Sequence, residues 1–136
     1  MATYLARRDP RTREQLRRAV ERPGAAPVDI ITALFDVLAR WADSGTYRGC
    51  AFLNAISECP EDTAVRAASI AHKTAIEAWF REILAGTPEA AQSAAMLMLL
   101  YDGALAGALV HGSGEPMRAA RAAAERLLAA AKNATA

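Results

Sequence analysis

The stretch Pro88–Val110, PEAAQSAAMLMLLYDGALAGALV, decides how the rest of the chain is read. Thr87 before it is a good side-chain cap, and Pro88 suits the first position of a helix, where its missing N–H costs nothing. From there the residues are apolar almost all round. A helix without a polar face needs protein on both sides, and a chain of 136 residues builds a single core that covers only one of them. The uncovered side calls for a second copy of the chain. Gly103 and Gly107 have the GxxxG spacing of packed membrane helices, but Gln92, Asp102 and the sharp ends favour a helix in a water-soluble bundle. There the small residues serve close approach of two backbones.

The composition extends this reading to the whole chain. Hydrophobic residues make up 53% and aromatic ones only 6%, so alanine and leucine carry the packing, which favours helix on helix over sheet. The expected fold is all-α, six helices in one compact domain. A basic helical segment falls within residues 1–22 and a helical domain spans 23–136. In the first segment Leu5, Leu16 and Val20 share one side, and Asp9–Pro10 is expected to kink or restart the helix. RPGAAP is a loop, and Pro27 opens a helix whose Val28, Ile31, Leu34, Phe35, Leu38 and Trp41 recur at three- and four-residue steps. A short helix follows, RGCAFLNAISE at 48–58, then a long one after Pro60 with Val65, Ser69, His72, Ile76, Trp79 and Phe80 on one face. The last helix, near Glu115 to Lys132, carries Met117, Ala120, Ala124, Leu127 and Leu128 along one side.

The formal net charge of +1 exerts no general pull on nucleic acid or membrane. Seven arginines nevertheless face three carboxylates in the first 22 residues, which makes the N-terminal end a basic cap on a mildly acidic body. Those arginines could touch phosphate, but a charged helical face is usually just solvated, and no helix-turn-helix is present to read bases. Cys50 and Cys59 have no CxxC spacing and no histidine at ligand spacing, so neither a metal site nor a cofactor is expected. With no leader segment and no long uninterrupted apolar run, a cytoplasmic place with reduced thiols is expected. No nucleophile elbow, acid pair or glycine-rich phosphate cradle occurs, so catalysis is not expected.

The polar residues of RGCAFLNAISE form the other feature that needs an account. Cys50, Asn54 and Ser57 or Glu58 share one face at helical steps. On one reading that face looks into a cavity, where Asn54 hydrogen-bonds a ligand and Cys50 lies within reach as a possible sensor thiol. On the other, Asn54 and Glu58 cap neighbouring helices and Cys50 is an inert small hydrophobe. His72 is open in the same way between a core histidine and a ligand contact.

The order YLARRDPRTRE, FDVLARWADSGTYRGCAFLNAISE, AHKTAIEAWFREILAG and PEAAQSAAMLMLLYDGALAGALVHG resembles the regulatory region of TetR-family transcriptional regulators. GCAFLNAISE and LYDGALAGAL are its most specific pieces. The resemblance implies a helical domain that binds a small effector and forms a homodimer, with YLARR at the start of the connecting helix. It also implies about fifty residues ahead of Ala2, with the helix-turn-helix that binds operator DNA, and these are not in this sequence. The last two long helices would then pair with their symmetry mates in a four-helix bundle, through Leu99, Gly103, Leu105, Ala106, Gly107, Leu109, Met117, Ala120, Ala124, Leu127 and Leu128. The effector pocket would lie in the triangle of helices closed by RGCAFLNAISE, with Phe35, Leu38, Cys50, Asn54, His72, Ile76, Trp79, Met96, Leu100 and Tyr101 as its wall. Such a wall suits a small, neutral, moderately hydrophobic ligand. The alternative is a stand-alone helical protein that binds a ligand or partner and has no DNA reader.

Overall fold

The computed structural model describes residues 1–133, so the last three residues of the expected 23–136 domain lie outside it. Within the described residues six helices run in the order α1 (Ala2–Val20), α2 (Pro27–Asp43), α3 (Ala51–Glu58), α4 (Thr63–Ile83), α5 (Ala90–His111) and α6 (Glu115–Asn133), and no strand occurs. α6 packs on both α2 and α5, α4 lies against α5, and α1 crosses α4 and α2 while α3 leans on α4. The main core gathers Ile31, Leu34, Phe35, Leu38, Trp79, Phe80, Leu97 and Met117 between α2, α4, α5 and α6. Each large apolar side chain so enclosed contributes about 1.5–3 kcal/mol. A second, small core of Leu5, Phe52, Ala55 and Val65 joins the start of α1 to α3 and α4.

Local chemistry sets most of the boundaries. Asp62 caps α4 by accepting from Ala64 N (2.9 Å) and Val65 N (3.0 Å). Pro27 opens α2 at a position that needs no N–H. At the α5–α6 turn a Cβ on Gly114 would lie 2.5 Å from the Ala39 carbonyl oxygen, so only glycine lets this turn reach α2. Asp43 fixes the same corner, accepting from Gly114 N at 2.7 Å and pairing with Arg118 at 2.9 Å.

Two local expectations are corrected. α1 runs through Pro10 as one helix from Ala2 to Val20, so no restart occurs there. Pro10 and Ala6 are both exposed, so the carbonyl that loses its helical partner is open to water, and Asp9 is engaged elsewhere instead of capping a restart. α5 begins at Ala90 behind Glu89, which sits at φ 53°, not at Pro88 behind a Thr87 cap. Thr87 instead turns back, its hydroxyl donating to the Leu84 carbonyl at 2.7 Å, and so completes the end of α4.

Candidate functional site: a chamber beneath the first helix

The two cores do not merge, and a chamber of about 40 Å³ remains at their seam. Its roof is α1, through Arg8 and Thr12. Its walls are Trp41 of α2, the Gly49–Phe52 approach to α3, His72 of α4, and Tyr101 and Leu105 of α5. Arg8 and Thr12 also border a larger groove of about 360 Å³ along α1, with Tyr4, Arg7, Arg11 and Gln15. Trp41 is held edge-on against Tyr47, with ring centroids 4.7 Å apart. Tyr47 is anchored in turn by its hydroxyl, which donates to the Leu105 carbonyl at 2.6 Å, and burial pushes its pKa up to about 12.

His72 is the most constrained group. Phe52 stacks on its ring at 3.8 Å, nearly parallel, and its Nδ1 lies 2.6 Å from Asp9 Oδ1. Asp9 also takes a two-pronged bond from Arg13, at 2.8 and 3.0 Å. Burial pushes the His72 pKa down more than the Asp9 carboxylate raises it. For Asp9 burial acts upward, but the bonds from Arg13 and His72 together outweigh it and hold the carboxyl below its ordinary value. The coherent state is therefore a neutral imidazole whose Nδ1–H donates to an ionised Asp9. Beside it Lys73 donates to Asp102 at 2.5 Å, sits 3.6 Å from Cys50 Sγ and lies 5.4 Å from the centre of the Tyr101 ring.

α1 is thus tied to α4 along its length. Beyond Asp9–His72, Trp79 Nε1 donates to Glu21 at 2.7 Å and Arg17 pairs with Glu82 at 2.8 Å. All of these partners on α4 are more than fifty positions away in sequence.

Of the residues expected to wall a pocket, Cys50, His72 and Tyr101 come together around the chamber. The expectation is corrected at the others. Phe35, Leu38, Ile76 and Trp79 are at most 2% exposed and pack in the main core, and none of them borders the chamber. Leu100 is half-buried against that core, and Met96 points outward, 41% exposed. Asn54 neither faces a cavity nor caps a neighbouring helix: its amide donates to the Arg48 carbonyl at 2.8 Å and closes the turn that leads into α3. Arg8, Thr12, Trp41, Phe52 and Leu105 border the chamber without having been expected there. For Trp41 the signal was present, as the one aromatic at the end of the α2 stripe.

The profile of the tetracyclin repressor-like C-terminal domain matches residues 25–130. The chain belongs to this family. The fold is similar to that of a crystallised TetR-family transcriptional regulator from Streptomyces coelicolor, with a TM-score of 0.81 and 26% identity over 96% of this chain and 70% of that one. No curated protein matches the sequence. The chain is accordingly an effector-binding and dimerisation domain of the TetR type, non-catalytic, with a fold that supports homodimerisation through its C-terminal helices.

In this TetR-like domain the outer face of α5 carries Met96, Leu99, Leu109 and Val110, from 41% to 79% exposed, with Gly103 and Ala106 between them. By length and composition alone α5 could cross a membrane, but its other face, from Ser93 to Ala108, is buried against the domain's own helices. The expected interface is corrected where the monomer already uses the residue. Leu105, Met117, Ala120 and Ala124 are 6% exposed or less, within the core. A Cβ on Gly107 would meet Pro116 of the same chain at 2.9 Å, so its small size serves the α5–α6 contact within the chain.

Proposed function

We propose that this domain senses a small, mostly apolar effector in the chamber beneath α1, and that occupancy is passed on through α1 to the reader of operator DNA in the regulator it belongs to. The observation that carries the reading is the roof. A chamber of about 40 Å³ is too small for a drug-sized molecule, so a ligand must push a wall aside. α2, α4 and α5 are built into the main core along their length, whereas α1 sends only Leu16 and Val20 to it, with Leu5 in the small one, and between these anchors it is held by side-chain pairs. Lifting α1 is therefore the easiest widening, and a ligand that binds the widened state shifts the population towards it.

The homodimer forms across the outer face of α5, with Met96, Leu99, Gly103, Ala106, Leu109 and Val110 at its centre and Leu127 and Leu128 of α6, both half-buried, on its flank. Regulators of this family are typically cytoplasmic, which agrees with the free thiols of Cys50 and Cys59.

A small-molecule library screened by tryptophan fluorescence tests the reading, since Trp41 borders the chamber. Hits are expected to bind the unmodified domain and to lose binding to Thr12→Phe, which fills the chamber from its roof, while the dimer persists. Hits that bind the filled variant equally well would place the effector elsewhere.

A further inference from the structure

The polar groups around the chamber are not a balanced set. Arg8, Thr12 and Tyr101 all border it and all carry donors. Tyr101 is 3% exposed, and among the described residues its hydroxyl has no hydrogen-bond partner in the protein; it is not a sealed polar atom, so it stays open to water. The Arg8 guanidinium reaches only the Tyr4 hydroxyl, at 2.9 Å, and pairs with no carboxylate among the described residues. The other charges nearby are already matched: Asp9 by Arg13 and His72, and Lys73 by Asp102. One guanidinium without a carboxylate and one hydroxyl without a protein partner are left at the border of the same space, beside the apolar surfaces of Trp41, Phe52 and Leu105.

We propose that the effector is an amphipathic organic acid, its carboxylate held by Arg8 and Tyr101 and its apolar body lying on Trp41, Phe52 and Leu105. A carboxylate accepts from both groups, and its bond to a guanidinium is charge-assisted. A neutral alcohol offers one weaker acceptor, and an amine brings a second positive charge to Arg8. About 40 Å³ is room for the head group alone, so seating the body requires the widening under α1 described above. The inference deepens the effector reading and rests on it. It replaces the neutral ligand expected from the sequence with a charged one.

The test uses three probes with one body and different heads: 3-phenylpropanoate, 3-phenylpropan-1-ol and 3-phenylpropan-1-amine, titrated into the dimeric domain by calorimetry. The acid is expected to bind about tenfold or more tightly than the alcohol, a difference typical of one charge-assisted bond. Arg8→Gln is expected to erase that advantage, bringing the acid's affinity down to about that of the alcohol for the same variant. Tyr101→Phe is expected to weaken the acid without lowering the melting temperature, because the hydroxyl it removes has no partner to lose. Equal binding of acid and alcohol, tighter binding of the amine, or acid affinity untouched in both variants would overturn the assignment, as would failure of the acid to bind at millimolar concentration. Alcohol binding that Thr12→Phe abolishes, without any preference for the acid, would overturn the acid head group and leave the chamber standing.

Discussion

Replacing Leu99 with glutamate separates the dimer from the fold more cleanly than any other single change. Leu99 is 75% exposed in one copy, on the face of α5 turned away from the core. The substitution therefore removes almost no contact within the chain, and the melting temperature at concentrations where both proteins are monomeric should hardly move. In a two-fold dimer each event counts twice. Burying a leucine is worth about 1.5–3 kcal/mol, so losing two such side chains from the interface costs about 3–6 kcal/mol, which raises the dimer dissociation constant by about a hundredfold to ten-thousandfold. Two unpaired carboxylates brought together would add to this. Sedimentation velocity across a dilution series reads the shift directly, with circular dichroism to check that the helices are intact. Leu105→Ala is the contrasting control: at 3% exposure it should cost about 2–5 kcal/mol of stability and weaken the dimer only as far as the fold itself suffers. A Leu99→Glu protein that remains dimeric at the same concentrations as its parent would show that the exposed stripe of α5 is not the interface.

Two further outcomes follow from the side-chain pairs. His72 has a folded pKa below its ordinary 6.5 and Asp9 one below 3.8, so in each case the unfolded chain binds protons more readily, and stability is full above the ordinary value and lost as pH falls towards the folded one. The melting temperature should therefore fall from about pH 6.5 downward through His72, and again below about 3.8 through Asp9; the first fall should be absent in His72→Gln, and a flat profile between pH 7 and 5 for the unmodified protein would refute the buried neutral imidazole. Asn54→Leu should lower stability by about 1 kcal/mol through loss of its bond to Arg48 while leaving ligand affinity unchanged, and weakened binding at unchanged stability would return Asn54 to the pocket.

The elements that could be read from the sequence are those whose cause is local or periodic. The α2 stripe, the Asp62 cap and the apolar circumference of α5 each depend on neighbours three or four positions away, so the helices and the need for a second subunit are written in order along the chain. What could not be read is which of several apolar faces is turned inward. Leu99 and Leu105 stand in the same run of leucines and alanines, and only the packing of α5 against the rest of the domain decides that one is buried and the other bare. The chamber was hidden for the same reason in stronger form. Asp9 next to Pro10 is by local rules a helix cap, and it becomes a partner of His72 only because α1 crosses α4. The tie between α1 and the chamber depends on that tertiary contact over a local preference. A carboxylate that could have ended a helix is spent on coupling two of them, so under the proposed function this crossing is where a ligand seated beneath α1 acts on that helix.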